Sequence, residues 1–287
     1  MEREQAFTRL TNRVAVHQSA YWHTNSGLVR TAEGYILVDP GILKAELDAI
    51  AAFSAGVGVR AGLVTHAHWD HMLWSARFGR EVARFASEGA VTQIQAERYR
   101  FLQEMAEFER VNGLGESQWD HPLLFQEQPL SSGSHFIGGL EVQVVPLPGH
   151  SAGQCGFYFA GEGVLFCGDT LSDEEVPTLS VGPQDLAHYQ QSLDFLAGLA
   201  ARARWIVPGH GQLANPAEAL RRLDSDHAYL EKLSKLGPAD LEGDLNALGA
   251  RILEELAEKR ADSEAGWLMH LENLALLKRV LIGRAGG

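Results

Sequence analysis

Four side chains able to hold a metal ion fall within one short stretch, Thr65-His66-Ala67-His68-Trp69-Asp70-His71. The stretch follows an apolar run, Gly62-Leu63-Val64, that reads as the end of a strand. In extended backbone, residues two apart point the same way, so His66 and His68 can share one ion. If the chain then turns into a helix, Asp70 and His71 face a second site beside the first. Any fold for this sequence must therefore carry a strand end to a place where further ligands can meet it. Three further candidates share one feature: His150, Asp169 and His210 each follow a glycine and each end a strand-like run. Glycine there lets the backbone turn sharply and approach an ion closely. The set is five histidines and two aspartates.

The elements between these ligands can be read in order. Short β-type runs at Val14–Val16, Gly27–Val29 and Tyr35–Val38 come first, with Ala32-Glu33-Gly34 as a hairpin turn. Asp39-Pro40-Gly41 breaks the last of them. Leu43, Leu47, Ile50 and Phe53 recur at helical spacing, which predicts a helix over 42–54. Val59 to Val64 is the strand that delivers the motif. Met72 to Phe78 is expected as a short helix closed by Gly79, and Val82 to Phe85 as a strand. A long helix follows over 89–111, with Val91, Ile94, Phe101, Met105 and Phe108 along one stripe. That stripe is read first as core packing and alternatively, with Trp119 to Phe125, as a lid over a catalytic mouth. Strands at 135–137, 140–145 and 205–207, a hairpin from Cys155 to Phe166 and a helix over 185–199 complete the pattern. Two successive sets of strands followed by helices predict two β-rich halves between helical layers. Three helices near 216–236, 243–259 and 265–282 end the chain, with no flexible linker before them.

Composition narrows the function. At 287 residues the chain can bury a substantial core, and 45% hydrophobic with 21% charged residues is ordinary for a soluble protein. A formal net charge of −13 argues against a surface that tracks phosphates, so no nucleic acid is expected as a partner. Two cysteines, Cys155 and Cys167, can supply neither a disulfide framework nor a four-cysteine zinc site, and are read as reduced, buried thiols. The charged start, Met1 to Gln5, is unlike a signal peptide, and no run reaches the length of a membrane span. The expected location is cytoplasmic, with no membrane association.

With Leu37-Val38-Asp39-Pro40-Gly41, the histidine motif, Pro148-Gly149-His150-Ser151, Gly168-Asp169-Thr170 and Pro208-Gly209-His210-Gly211 in that order, the sequence resembles the metallo-β-lactamase superfamily of binuclear metallohydrolases. The resemblance implies an α+β fold, a four-layer αββα sandwich over 1–213, with a helical extension over 214–287 packed on it. It implies one metal held by His66, His68 and His150, a second by Asp70, His71 and His210, and Asp169 bridging the two. Two divalent ions per chain are expected, with zinc suiting the nitrogen-rich set and iron or manganese also admissible. A hydroxide held between the ions, oriented by Asp70, would then attack a small ester, lactone, thioester or amide.

Several residues stand at the edge of this reading. Asp39 is read as a hydrogen-bond acceptor for a metal-bound histidine, or as plain turn chemistry. His23 lies before the first hairpin, within reach of an active-site rim. His188 and Tyr189 follow the Asp169 loop and are candidate proton donors to a leaving group. Trp74, in the bulky run Met72-Leu73-Trp74 where many family hydrolases have glycines, is a candidate pocket wall. Asp224, Asp226 and His227 read as a solvated helix face. The glutathione-binding pattern of glyoxalase II-type thioesterases is not evident. Rival readings are a persulfide dioxygenase of the same superfamily, with one iron on His66, His150 and Asp169, a nuclease, and a non-catalytic binding module. Apolar residues around 99–125 and Trp267 to Leu277 suit either a lid or a homodimer contact.

Overall fold

A computed structural model describes residues 7–114, 118–180 and 183–283. The charged first residues, and the three positions interrupting the stretch read as a lid, lie outside the described residues. Seven strands form the first sheet, in sequence order: β1 (Phe7–Arg9), β2 (Val14–Gln18), β3 (Asn25–Arg30), β4 (Tyr35–Val38), β5 (Val59–Leu63), β6 (Arg84–Ala86) and β7 (Gln128–Pro129). The first four are antiparallel; β4 to β7 run parallel. The second sheet has β8 (Gly133–Ile137), β9 (Leu140–Pro146), β10 (Cys155–Phe159), β11 (Val164–Phe166) and β12 (Trp205–Val207), ordered β12-β11-β10-β9-β8.

The alternation of side chains along each strand decides the layers. Ile36 and Val38 face Phe157, Phe159 and Phe166 in a core between the sheets, whereas Tyr35 and Leu37 point outward to a second core. That outer core is covered by α1 (Lys44–Ser54) and α2 (Glu88–Val111), through Leu47, Ile50, Ile94, Phe101 and Met105. Tyr158 and Leu165 point outward from the second sheet to a third core, under α3 (Pro183–Ala200) and α4 (Pro216–Ser234). Strands buried on both faces explain why their sequences read as continuous apolar runs rather than as alternation. The layers are αββα, as expected.

The chain beyond β12 does not stand apart. Leu223 and Leu230 of α4, Ile252 of α6 (Leu245–Leu256) and Leu274 of α7 (Glu264–Gly283) share the third core with Leu193 and Leu196 of α3. A short α5 (Pro238–Leu241), unforeseen from the sequence, turns the chain between α4 and α6. Among the described residues, no helix is long and apolar enough to cross a membrane.

The helix expected over Met72 to Phe78 is not formed. One 3-10 turn, Trp69–His71, precedes that span, and a second, Ala76–Phe78, covers only its end, closed by Gly79 as expected. Met72, Leu73 and Trp74 are all buried. A helix lying on a surface could not bury three consecutive side chains, because they point about 100° apart. The stripe on α2 is core packing, and Trp119, Leu123 and Leu124 are buried in that same core.

Candidate metal centre

β9, β11 and β12 run in one direction, so their C-terminal ends open at one edge of the second sheet. His150 follows β9, Asp169 follows β11 and His210 follows β12, while the motif follows β5 of the first sheet. Of the three preceding glycines, Gly149 and Gly168 make left-handed turns, with φ +136° and +57°. Gly209 has a different reason to be glycine. A Cβ there would lie 1.9 Å from Asp169 Oδ1 and 3.0 Å from the His71 ring, so any side chain would occupy the space of the cluster.

The ligand atoms of the seven candidate residues converge in two groups. In the first, His68 Nδ1 lies 3.0 Å from His66 Nε2 and 3.1 Å from His150 Nε2. Asp169 Oδ2 is 3.3 Å from His66 Nε2 and 3.2 Å from His150 Nε2. In the second, His71 Nε2 is 3.1 Å from His210 Nε2, and Asp70 Oδ2 is 3.3 Å from both. Asp169 reaches this group too, with Oδ1 3.3 Å from His71 Nε2. These separations match the edge of about 3.3 Å of a tetrahedron with bonds of about 2.0–2.1 Å to a central ion.

Hydrogen bonds on the far side of the rings fix which nitrogen faces inward. Carbonyl oxygens can only accept, so His210 Nδ1 donates to Trp22 O at 2.9 Å and His150 Nδ1 to Thr178 O at 3.2 Å. Their Nε2 lone pairs are thereby left toward the cluster. Asp39 lies behind His71, with Oδ2 3.3 Å from its Nδ1. The Asp39 carboxylate also accepts the Thr65 N–H at 2.8 Å and the Thr65 hydroxyl at 2.6 Å. The carboxylate thus orients the start of the motif as well as one of its rings.

The donor set suits a cation. Burial lowers His66, to about 4, and takes His68 well below the usual imidazole value, leaving neutral rings with free lone pairs. Burial also opposes charge on His71 and His210, yet both are raised well above the usual value. Asp169 and Asp70 raise His71; Glu175 and Asp169 raise His210. Asp70 and Asp169 are disfavoured as anions by burial but held well below the carboxylate range by the histidines around them. Asp169 Oδ1 is buried without a hydrogen-bond partner. The seven residues therefore fit a pair of divalent ions, by donor chemistry and by this orphaned oxygen.

A cavity of about 590 Å³ opens over the cluster, touching His68, Asp70, His150, Asp169 and His210. One wall is Trp22 and Trp69, another is Arg100 and Glu104 of α2, and a third is Ala265, Gly266, Met269 and Glu272 of α7. The α7 wall is tied to the cluster. Asn273 accepts the Leu179 N–H and donates to Pro177 O, both at 2.8 Å, around the Thr178 carbonyl that holds His150.

The other candidates fall in different places. Trp74 is buried behind the motif, its indole N–H donating to Gly79 O at 3.0 Å, and it lines no part of this cavity. Tyr189 lies beneath the cluster and donates its hydroxyl to the Asp169 carbonyl at 2.9 Å; burial keeps that phenol protonated. His188, on the same helix, is half-exposed and 3.9 Å from Asp185. His23 is exposed and pairs with Glu174 at 2.7 Å, one residue away from the cavity wall at Trp22. Asp226 is buried against Arg260, not solvated as its neighbours Asp224 and His227 suggested, because its helix position places it beside Leu223 and Leu230. Both cysteines are free and buried, with thiols pushed up to about 12 by burial.

Sequence reasoning missed Glu175. Its carboxylate lies with that of Asp169 and the imidazole of His210 in a third group of possible ligand atoms, all within 4.8 Å of one another. The signal was the acidic run Asp173-Glu174-Glu175, close behind Asp169.

The sequence profile of the metallo-beta-lactamase superfamily matches residues 21–210. The chain belongs to that superfamily. Among curated members, it is 27% identical over 236 residues to a hydroxyacylglutathione hydrolase of Shewanella pealeana, covering 81% of this chain and 78% of that one. Among solved members, a metallo-beta-lactamase family protein from Thermus thermophilus superposes with a TM-score of 0.62 at 24% identity. That match covers 96% of this chain and 94% of that one, and so includes the helices after β12. A protein solved in a di-iron-bound form is 25% identical, with a TM-score of 0.54, over 72% of this chain and 97% of its own.

Proposed function

We propose that the protein is a binuclear metal-dependent hydrolase acting on a small ester, thioester, lactone or amide. The observation that carries this reading is the convergence of two ligand groups on one aspartate, Asp169, beneath an open cavity. His66, His68 and His150 would hold one ion, Asp70, His71 and His210 the other, and Asp169 would bridge. When bound, such a pair supplies a nucleophile from water near neutral pH and polarises a carbonyl. Around it, the chain does the orienting. Thr178 O and Trp22 O fix two imidazoles, Asp39 a third, and Asp70 presents a carboxylate at the cavity floor that can take the proton of an attacking water. The named relative supports thioesters as one carbonyl class to test first. Zinc is the preferred pair on ligand chemistry, and iron is admissible.

The test is elemental analysis beside a panel of lactone, thioester, ester and β-lactam substrates. The expected result is two ions per chain and hydrolysis that a chelator abolishes and added zinc or iron restores. One iron per chain with oxygen uptake on a persulfide, and no hydrolysis, would replace this reading with the dioxygenase one.

A further inference from the structure

The cavity over the ligands does not end at its rim. It continues into a trough of about 520 Å³ whose walls include Trp22, Trp69, Phe108 and Val111. Trp22, Trp69 and Glu104 belong to both spaces, so the trough is an extension of the reaction chamber. Its aromatic floor is ordered: Trp22 meets Trp69 edge-on at 5.6 Å, and Phe108 lies 5.1 Å from each of them. Yet Trp22 is 47% and Val111 64% exposed, so apolar surface is left open beside the metal ligands.

Trp22 is held there at a cost. Trp22 and His23 both have left-handed backbone, φ +52° and +45°, which side-chain-bearing residues avoid. The turn is pinned by the His210 ring on Trp22 O and by the Gly211 N–H on His23 O at 3.2 Å. The indole is therefore fixed in register with a ligand of the second metal position, and a group lying on it is registered to the reacting centre.

The charge of the chamber points the same way. Glu104, Glu174, Glu175 and Glu272 line it, while its one guanidinium among the described residues, Arg100, is paired with Glu97 and, at 3.6 Å, with Glu104. A substrate arm carrying carboxylates would meet like charge there. We propose that the substrate is an ester or thioester bearing an uncharged aliphatic or aromatic arm, laid in the trough between Trp22, Trp69, Phe108 and Val111. This rests on the hydrolase reading and adds a substrate class to it.

The experiment uses the metal-loaded full chain and a series of acyl thioesters from acetyl to decanoyl on a neutral thiol. Binding of 1-decanol is followed in parallel by tryptophan fluorescence, which needs no turnover. The expected result is a kcat/KM rising about two- to fourfold per methylene until the trough is filled. Val111→Asp, at an exposed position, and Trp22→Ala should flatten the series and weaken decanol binding. A neutral thioester should exceed the glutathione thioester of the same acyl group by about tenfold or more. Decanol binding that Val111→Asp abolishes, without hydrolysis of any thioester or of any member of the lactone, ester and β-lactam panel, would keep the apolar site and sink the hydrolase reading. Hydrolysis with a flat chain-length series and no decanol binding, or a preference for the glutathione thioester, would overturn the inference and leave the hydrolase reading intact.

Discussion

The ligand cluster at the strand ends and the polar network between α4 and α7 are both buried, and they are balanced in opposite ways. In the network, the Arg260 guanidinium pairs with Asp226, donates to Glu258 at 2.6 Å and 2.9 Å, and reaches Ser225 Oγ at 3.2 Å. Beside it, Tyr229, His270 and Asn273 form a hydrogen-bonded chain with links of 2.8 Å and 2.9 Å. The chain thus supplies its own cation. In the cluster, five imidazoles and two carboxylates crowd together with no lysine or arginine among them. Its shortest contacts are nitrogen to nitrogen, with His68 Nδ1 facing two Nε2 atoms at once. One proton cannot satisfy three nitrogens, so the chain's own groups leave the surroundings of His68 short of a donor. The contrast separates a polar core satisfied within the chain from one that is not.

The sharpest way to break this contrast is to remove the shared ligand. Asp169→Asn should release at least one ion and lower hydrolysis by about 10³-fold or more, with far-UV circular dichroism unchanged. A variant that retained both ions and most of its activity would show that the two groups do not depend on Asp169. Next in size, Asp226→Ala should leave Arg260 buried and only partly paired, costing about 3 kcal/mol of stability while the metal content stays the same. Chemical denaturation alongside elemental analysis reads both. If that variant instead lost metal, the helical network would have to be counted as part of the site.

The smallest effect should be one of pH. His71 and His210 have raised folded-state values, so without metal their contribution to stability is full below the ordinary imidazole value of about 6.5. It is lost as pH rises through the folded values. Metal and proton compete for the same nitrogens, so the loaded protein should not show this loss. The gap in denaturation midpoint between loaded and chelated protein should therefore widen as pH rises above about 6.5. A gap that narrowed would mean that these two rings carry no proton in the metal-free state.

What could be read from residues alone follows the same division between local and distant causes. The motif at 66–71 was legible because its ligands are neighbours in the chain and its strand is announced by Leu63 and Val64. His150, Asp169 and His210 were legible because the parallel strands before them end in glycine turns or at a glycine packed against the site. Trp74 misled because proximity in sequence to His71 says nothing about which way a 3-10 turn sends the next side chain. Glu175 and Trp22 gave only weak local signals: an acidic loop is usually solvated, and a tryptophan near a terminus is usually core. Asp226 reads as polar helix surface until the partner that buries it, Arg260, is folded back from beyond α6. The α7 wall was invisible for the same reason, since more than fifty residues separate His210 from Ala265.

That wall has a consequence for how such a protein can diversify. Ala265, Met269 and Glu272 border the chamber, yet belong to none of the ligand-bearing segments. Substitutions there can alter which molecules fit while the inherited ligand cluster stays intact. Relatives with a shared ligand set and different final helices would then be expected to part ways in diet before they part ways in chemistry.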